Sequence, residues 1–508
     1  MPRWPSLMER LADAVQGKGL VGTGKDDPLP TAAQVLFQHY RATEIAGIKE
    51  EAGTAHLAEK IVQARWKRIV HGCLYQDVPR DVDELHEKDS VYKHYLPIIE
   101  TSPITVNYNF DDTIERLLQR RRVRDESGTK PREYDSVVDS RLVFRRSTGN
   151  ILHVNGYLPM NLLEGIEGPL VLNEVSFEDQ LIDSIGGSFA TLLHYLTKHT
   201  FLFIGLSLED ETLRHLLRQN AILNPGHYHY RIYWVPDSDS VAPSTLALTE
   251  SHFEAYNLVT LFMDSEDIAA LGSVLTMQDK DLKHHANHEG IQLFYTYYLA
   301  GVPGAGKTTT FRHLASLTAH DEWVEERLEL MSKPWNQLTP VEEQEVDEWV
   351  ERQVQLKNHN LRYQAASPGI GINIIDRCPP DALAFGEAST WQDKAQRLIR
   401  SIANGRERAT VEPGQVLLLE GEPKELLYRA KARDRQTTAT VEFTRRLQEA
   451  TVLVYAGEER DVPGVSVITT EGLTVREVVK EVSRTIFLED YRPCDLQGRL
   501  EWFASGPA

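Results

Sequence analysis

Cysteine is scarce in this chain of 508 residues. The three cysteines, Cys73, Cys378 and Cys494, lie far apart, and none belongs to a C-x-x-C pair. Structural zinc sites and disulfide frameworks use closely spaced cysteines, so the sequence predicts neither. Scarce and unpaired cysteine fits a reducing compartment, and we expect a cytoplasmic protein.

The chain also lacks long apolar runs and an excess of basic residues. No apolar run reaches the ~20 residues that a membrane-spanning helix needs, and the start, MPRWPSLMERL, has no apolar signal-peptide core. The 55 Lys and Arg residues face 75 Asp and Glu residues, which gives a net charge of −20. We therefore expect neither a membrane nor broad nucleic-acid binding, although local basic patches stay open.

One complete phosphate-binding motif is present, because residues 301–308 read G-V-P-G-A-G-K-T. It follows an apolar run over 293–300 that predicts a buried strand, and a helical pattern over 308–317 comes next. Strand, loop and helix in this order are the context that a P-loop requires.

The P-loop residues have distinct expected roles. Gly301, Gly304 and Gly306 let backbone N–H groups close around phosphate oxygens. Lys307 is expected to reach the β- and γ-phosphates of ATP, and the Thr308 hydroxyl to hold Mg²⁺. ATP and Mg²⁺ are therefore predicted cofactors.

Strand-like runs alternate with helical patterns along most of the chain after a helical first hundred residues, which predicts parallel sheets covered by helices on both faces. The expected fold class is α/β, with a Rossmann-like and then a P-loop domain, each a doubly wound parallel sheet. We expect domains over 1–276 and 291–490, a polar linker over 277–290 and a C-terminal tail over 491–508. The His-rich residues 279–290 favour a solvated linker over a metal site. The other predicted strands are Ile104–Asn107, Leu142–Phe144, Ile151–Val154, Leu170–Leu172, Phe201–Ile204, Ile232–Val235, Ile372–Ile375, Val416–Leu419, Thr451–Val454 and Val465–Ile468.

Two further groups of charged residues in the second domain fit a phosphate site. Asp376 and Arg377 end a buried strand, where the carboxylate can hold Mg²⁺ or take a proton and the guanidinium can pair with an acceptor phosphate. A structural salt bridge is the alternative. Arg429, Arg433 and Arg435 lie close together along a helix and its end, where an anion would relieve their repulsion. The alternative is surface charge balanced by Glu422, Glu425 and Asp434.

The order of these features resembles that of the thymidylate and deoxynucleoside kinases over residues 291–488. The resemblance implies that Lys307 and Thr308 bind the donor phosphates and magnesium, and that Asp376 and Arg377 match the family's Asp-Arg motif. It also implies that the three arginines after residue 428 are lid residues. The nucleotide acceptor is not assigned, and other P-loop ATPases, including defence-type switch modules, stay open.

Polar residues follow several strands of the first domain. T-V-N-Y, H-V-N-G and F-I-G-L-S-L-E-D begin at residues 105, 153 and 203. Open α/β sheets bind ligands at such strand ends. Taken singly, Asn107 can simply cap the next helix, and His153 can be a half-buried structural histidine.

Together, these segments resemble the sirtuin-like NAD-binding domains of bacterial anti-phage proteins, over residues 1–275. The resemblance implies that NAD is a cofactor and that Asn107 is the catalytic asparagine. It implies that Gly205, Ser207 and Asp210 contact the NAD ribose. It also implies a defence role with a phage-derived trigger and, with the P-loop domain, nucleotides and a second copy of the chain as partners.

Three departures from this pattern bear on activity. The family's G-A-G-x-S loop is missing, because Met1–Leu7 resembles the segment that follows it. Asn109 stands where the family commonly has Asp, and Asn155 stands where it usually has the catalytic His. An amide cannot act as a general base near neutral pH, so either His153 takes that role or hydrolysis has been lost. We expect this chain to hydrolyse NAD feebly or not at all, and an upstream extension with the loop to bind NAD.

The sequence thus predicts an ATP-binding protein with a sirtuin-like NAD hydrolase, active or degenerate, joined to a nucleotide-kinase-like module. The alternative is a nucleotide kinase whose sirtuin-like half is a non-catalytic scaffold.

Overall fold

The computed structural model of the chain describes most of its residues. The described ranges are 4–20, 29–88, 92–124, 133–138, 148–161, 170–173, 175–176, 179, 188–206, 208, 210–236, 241–314, 317–320, 337–346, 348–349, 352–353, 358, 370–385, 388–403, 411–432, 439–457 and 462–506. Within them, no helix combines the length and the apolar character needed to cross a bilayer.

The first domain contains six strands and ten helices among the described residues. The strands are β1 (Ile104–Asn107), β2 (Glu133–Val137), β3 (Thr148–His153), β4 (Leu202–Ile204), β5 (His229–Trp234) and β6 (Leu258–Met263). The helices are α1 (Trp4–Ala14), α2 (Leu29–Ala52), α3 (Ala55–Tyr75), α4 (Val82–Lys88), α5 (Tyr92–Thr101), α6 (Thr113–Arg124), α7 (Ser188–Lys198), α8 (Glu211–Leu223), α9 (Pro243–Tyr256) and α10 (Ser265–Thr276).

These six strands form two three-stranded parallel sheets, with the orders β1-β3-β2 and β4-β5-β6. The edge strands β1 and β4 share one hydrophobic cluster, in which Val106 packs against a group that contains Phe203. Asn107 and His153 are register partners on β1 and β3. Parallel pairing therefore brings the polar ends of these two strands to one edge of the sheet.

The second domain is built around a five-stranded parallel sheet. Its strands are β7 (Phe294–Gly301), β8 (Thr318–His320), β9 (Gly371–Asp376), β10 (Gln415–Glu420) and β11 (Val465–Thr469), in the order β11-β10-β7-β9-β8. The helices are α11 (Asp279–Glu289), which precedes β7, α12 (Lys307–His313), α13 (Asp381–Ala384), α14 (Trp391–Ala403), α15 (Pro423–Ala432), α16 (Val441–Ala456), α17 (Val475–Leu488) and α18 (Leu496–Ala504). The P-loop strand β7 is central, and its residues 297–300 are buried on both faces, as a covered parallel sheet requires.

The predicted α/β class with parallel sheets is confirmed, but several predicted elements were wrong. Thr451–Val454 belongs to helix α16, because its buried residues continue a helical spacing that begins at Thr444 and Leu447. Residues 170–172 are not a strand, and β2, β6 and β8 were not predicted. The predicted strand Leu142–Phe144 lies outside the described residues.

The two segments expected to lie outside the domains are also helical. Residues 279–289 form α11, which is largely exposed, and the described residues hold no cluster of three metal-ligating side chains there or elsewhere. The expected C-terminal tail contains α18, whose Leu500 and Phe503 lie in the core of the second domain. Phe503 packs edge-on against Trp391 of α14, with ring centroids 5.3 Å apart. Apolar residues at helical spacing give α18 this buried face.

Helix α17 of the second domain lies against α9 of the first. The Lys480 ammonium is buried and donates a hydrogen bond to the Phe253 carbonyl oxygen at 2.6 Å. Arg484 contacts Glu250 at 2.7 Å and Glu254 at 2.5 Å. Burial lowers the pKa of Lys480 to about 8, so the charged ammonium destabilises the folded state at neutral pH.

Lys480→Met is expected to raise the melting temperature at pH 7, because the Phe253 carbonyl keeps its bond from the Asn257 N–H. The lowering of the Lys480 pKa corresponds to a cost of about 3 kcal/mol for keeping the buried ammonium charged in the folded state. Between pH 8 and about 10.4 the unfolded chain holds a proton that the folded chain has lost, so wild-type stability rises with pH. The advantage of the variant should therefore shrink over this range. Melting curves at several pH values test this, and a difference that does not change with pH would contradict it.

Candidate functional sites

At two positions of the P-loop, the backbone lies so close to neighbouring carbonyl oxygens that only glycine fits. Gly301, Gly304 and Gly306 have φ of 135°, 91° and 99°. A Cβ atom on Gly304 would lie 2.1 Å from the Leu426 carbonyl oxygen, and one on Gly301 would lie 2.5 Å from that of Leu419. The loop is therefore seated against β10 and α15 by its backbone, and no side chain fits between them.

Two P-loop side chains make the contacts that define this site. The Lys307 ammonium is nearly buried and donates to the carbonyl oxygens of Gly301 and Val302, at 2.5 and 3.2 Å. The Thr308 hydroxyl donates to Asp376 Oδ2 at 3.1 Å. Strand pairing explains the second contact, because Asp376 ends β9 directly beside Leu299 of β7.

Arg377 and Asp381 extend this polar cluster beyond β9. Arg377 has a φ of 73°, and its guanidinium lies 5.6 Å from the centre of the Phe385 ring. Asp381 is buried and accepts a hydrogen bond from the Tyr455 hydroxyl at 2.6 Å. Burial raises the pKa of the Asp381 carboxyl, against the opposing charges of Arg377 and Lys307. Sequence reasoning missed Asp381, although it is the acidic residue that follows Asp376 in D-R-C-P-P-D.

The arginine group predicted as a lid is only partly described. Arg429 pairs with Glu425 at 2.5 Å, one turn earlier on α15. It also donates to the carbonyl oxygens of Thr470 and Leu473, at 3.1 and 3.4 Å. Glu425 therefore balances the charge of Arg429 in this structure, as the alternative interpretation expects, and the lid role of Arg429 stays a prediction. Arg433 and Arg435 lie outside the described residues.

In the first domain, the side chains of Asn107 and His153 lie at the carboxyl ends of β1 and β3. Asn107 is buried, and its Oδ1 accepts a hydrogen bond from the Asn109 N–H at 3.0 Å. Its Nδ2 has no hydrogen-bond partner in the described part of the chain. A buried N–H donor without an acceptor destabilises the folded protein, and a bound ligand that accepts the hydrogen bond removes this cost.

His153 is fully buried, and both of its ring nitrogens are in hydrogen-bond contact. Nδ1 lies 3.1 Å from the Asn109 carbonyl oxygen, and Nε2 lies 2.6 Å from Glu115 Oε1. Burial alone would lower the pKa of His153, but the hydrogen bond and charge of Glu115 outweigh it, and the pKa is raised above its ordinary value. Glu115 lies on α6, and no sequence motif pointed to it.

Asn155, which stands where the resemblance expects histidine, braces the loop after β1. Its side-chain amide donates to the Tyr108 carbonyl oxygen at 3.0 Å, and its own carbonyl oxygen accepts from the Val171 N–H at 2.9 Å. The following glycine, Gly156, has a φ of 101°. Asn155 is buried, so its contacts account for an amide at this position.

The third strand end of this domain carries Gly205 and Asp210. Gly205 has a φ of 70°, with open space where a side chain would lie. Asp210 caps α8 by accepting a hydrogen bond from the Leu213 N–H at 2.8 Å, and burial raises its pKa. The Tyr108 hydroxyl is buried and has no partner among the described residues. Its pKa is raised by burial and by the charge of Asp210, which places the two side chains near each other. Ser207 lies outside the described residues.

Comparisons with known proteins match one segment in each half of the chain. The model of a SIR2-like domain matches residues 103–261, and the model of an AAA domain matches residues 296–456. The chain thus joins a SIR2-like domain to a P-loop domain, which confirms the predicted order. No curated protein matches the chain.

Solved structures of nucleotide and nucleoside kinases resemble part of the chain. A thymidylate kinase from Candida albicans is 13% identical over 38% of this chain and 91% of its own, with a TM-score of 0.27. A deoxyadenosine kinase from M.mycoides is 17% identical over 38% of this chain and 98% of its own, with a TM-score of 0.29.

Proposed function

We propose that the second domain binds ATP with Mg²⁺ and transfers a phosphoryl group to a nucleoside or nucleotide. The observation that carries this proposal is the contact between Thr308 and Asp376 at the end of the P-loop. A P-loop hydroxyl and a carboxylate from a neighbouring strand are the side chains that hold magnesium in P-loop enzymes.

The donor set fits magnesium and phosphate. Thr308 and Asp376 supply oxygen ligands, which Mg²⁺ prefers. Lys307 supplies a positive charge, and the loop glycines leave backbone N–H groups free of side-chain obstruction. Bound Mg²⁺ would neutralise charge on the transferring phosphates. Among the two roles that the sequence left open for Asp376, the Thr308 contact favours metal binding over proton abstraction.

Asp376→Asn tests this assignment. The variant keeps the hydrogen bond from Thr308 but loses the negative charge, so ATP affinity in the presence of Mg²⁺ should fall about tenfold or more. In EDTA, the variant and the parent should bind ATP alike. Calorimetry with both buffers measures this. A loss of phosphoryl transfer with an unchanged Mg²⁺ dependence of ATP binding would instead favour the proton-accepting role.

A second activity, hydrolysis of NAD, is favoured by Asn107 beside His153, because the Asn107 Nδ2 has no hydrogen-bond partner among the residues that the structure describes. A buried donor at the carboxyl end of a parallel strand is suited to a polar ligand. Glu115 would hold the His153 ring in place. Asn155 at the usual histidine position supports slow hydrolysis. The resemblance to anti-phage domains extends this proposal to a role in defence.

The competing function is a nucleotide kinase whose SIR2-like domain is a scaffold. Incubation of the purified protein with NAD, followed by detection of nicotinamide, separates the two. Nicotinamide release that depends on Asn107 supports the hydrolase, and an inert first domain with active phosphoryl transfer supports the scaffold.

A further inference from the structure

A backbone contact joins the P-loop helix to the first domain. A Cβ atom on Gly226 would lie 2.2 Å from the carbonyl oxygen of His313 and 2.7 Å from its carbonyl carbon. Gly226 belongs to the turn between α8 and β5, and His313 is the last residue of α12. The two chain segments therefore touch at a point with no room for a side chain.

The turn at Gly226 is held by hydrogen bonds from the first domain. The side-chain amide of Asn257 donates to the carbonyl oxygens of Asn224, Pro225 and His227, at 3.0, 3.1 and 3.0 Å. Asn257 is fully buried at the end of α9. Asn257 thus ties the turn after α8 to the end of α9, so a displacement of His313 would act on both helices.

The second contact, between α17 and α9, lies beside the first. Tyr228 follows the turn directly and stacks between Phe253 of α9 and Phe487 of α17, with both ring centroids 4.9 Å away. Arg484 of α17 forms ion pairs with Glu250 and Glu254 of α9. Helix α17 also packs against the P-loop helix α12, so both contacts belong to one continuous interface.

Each candidate site lies at the far end of a helix that leads to this interface. Helix α12 runs from Lys307 in the P-loop to His313. Helix α8 runs from its cap, Asp210, to the turn that contains Gly226. The chain that enters α17 carries Thr470, whose hydroxyl and carbonyl oxygens accept hydrogen bonds from Arg429.

We infer that the contact of Gly226 with His313, supported by Arg484, couples nucleotide binding at the P-loop to the candidate NAD site of the first domain. This inference rests on the ATP binding proposed above. The coupling is reciprocal by thermodynamic necessity, so a ligand at the first site changes ATP affinity by the same factor.

Two variants interrupt the interface in different ways. Gly226→Ala inserts a methyl group against the His313 carbonyl, and Arg484→Gln removes the charge that holds α9. Gly72→Ala is the control for the first, because a Cβ there meets nothing within 4 Å. Glu481→Gln is the control for the second, because Glu481 is exposed on the same helix.

The measurement is amide hydrogen exchange in residues 211–217, the half of α8 next to Asp210, with and without ATP and Mg²⁺. In the parent and both controls, ATP is expected to shift these exchange rates about fivefold or more. Gly226→Ala and Arg484→Gln should still bind ATP by calorimetry while this shift is lost.

Three outcomes would overturn the inference. A parent that binds ATP without any shift in α8 removes the coupling and leaves the proposed kinase site intact. A shift that survives in both interface variants places the coupling elsewhere. A parent that does not bind ATP removes the proposed nucleotide site and the coupling with it.

Discussion

Lys307→Ala is expected to abolish phosphoryl transfer and to weaken ATP binding. The ammonium lies inside the loop on two of its carbonyl oxygens, where it can meet the β- and γ-phosphates. A charge-assisted hydrogen bond contributes about 1.5–3 kcal/mol, so the dissociation constant should rise about tenfold to a hundredfold. Calorimetry and a radiolabelled phosphoryl-transfer assay measure the two effects.

The matched control is Lys280→Ala, which removes an exposed lysine from α11. It should leave ATP affinity and transfer unchanged. Circular dichroism should show that the Lys307 variant stays folded, because the surrounding sheet core does not depend on the ammonium. Unchanged ATP affinity in a folded Lys307→Ala protein would remove the P-loop assignment.

The P-loop site was predictable because its determinants are contiguous in sequence. The eight residues 301–308 predict the loop, and the apolar run over 293–300 predicts the central strand. The position of Asp376 near the P-loop was also predictable, because parallel strands present their carboxyl ends at one edge of a sheet. The sequence could not show that Thr308 and Asp376 meet, since strand order β7-β9 is decided by packing over the whole domain.

The errors arose where local patterns are ambiguous or partners are distant. The residues T-V-L-V at 451–454 are β-branched and apolar, yet tertiary packing places them in α16. Glu115 and Asp381 were missed because each acts through a partner on another element, His153 and Tyr455. The lid role of Arg429 stays a prediction, because a lid residue and an arginine balanced by Glu425 require the same spacing.

If the proposed NAD site is active, Asn107→Ala is expected to abolish any release of nicotinamide from NAD. The Oδ1 of Asn107 accepts a hydrogen bond from the Asn109 N–H, whereas its Nδ2 makes no hydrogen bond within the described residues and is available to a ligand. Removing one such donor to a polar ligand costs about 1–3 kcal/mol if it only binds, and more if it acts in the reaction. Chromatographic detection of nicotinamide over long incubations measures the loss, and melting curves confirm that the variant is folded.

The pH dependence of this release tests His153 separately. A general base acts in its neutral form, and Glu115 raises the pKa of His153, so release should increase as pH rises through a value above the ordinary ~6.5 of histidine. Glu115→Gln removes the main cause of the rise and should move the midpoint to lower pH. Release by Asn107→Ala at the parental rate would refute the site, and a profile unchanged in Glu115→Gln would remove His153 from the mechanism.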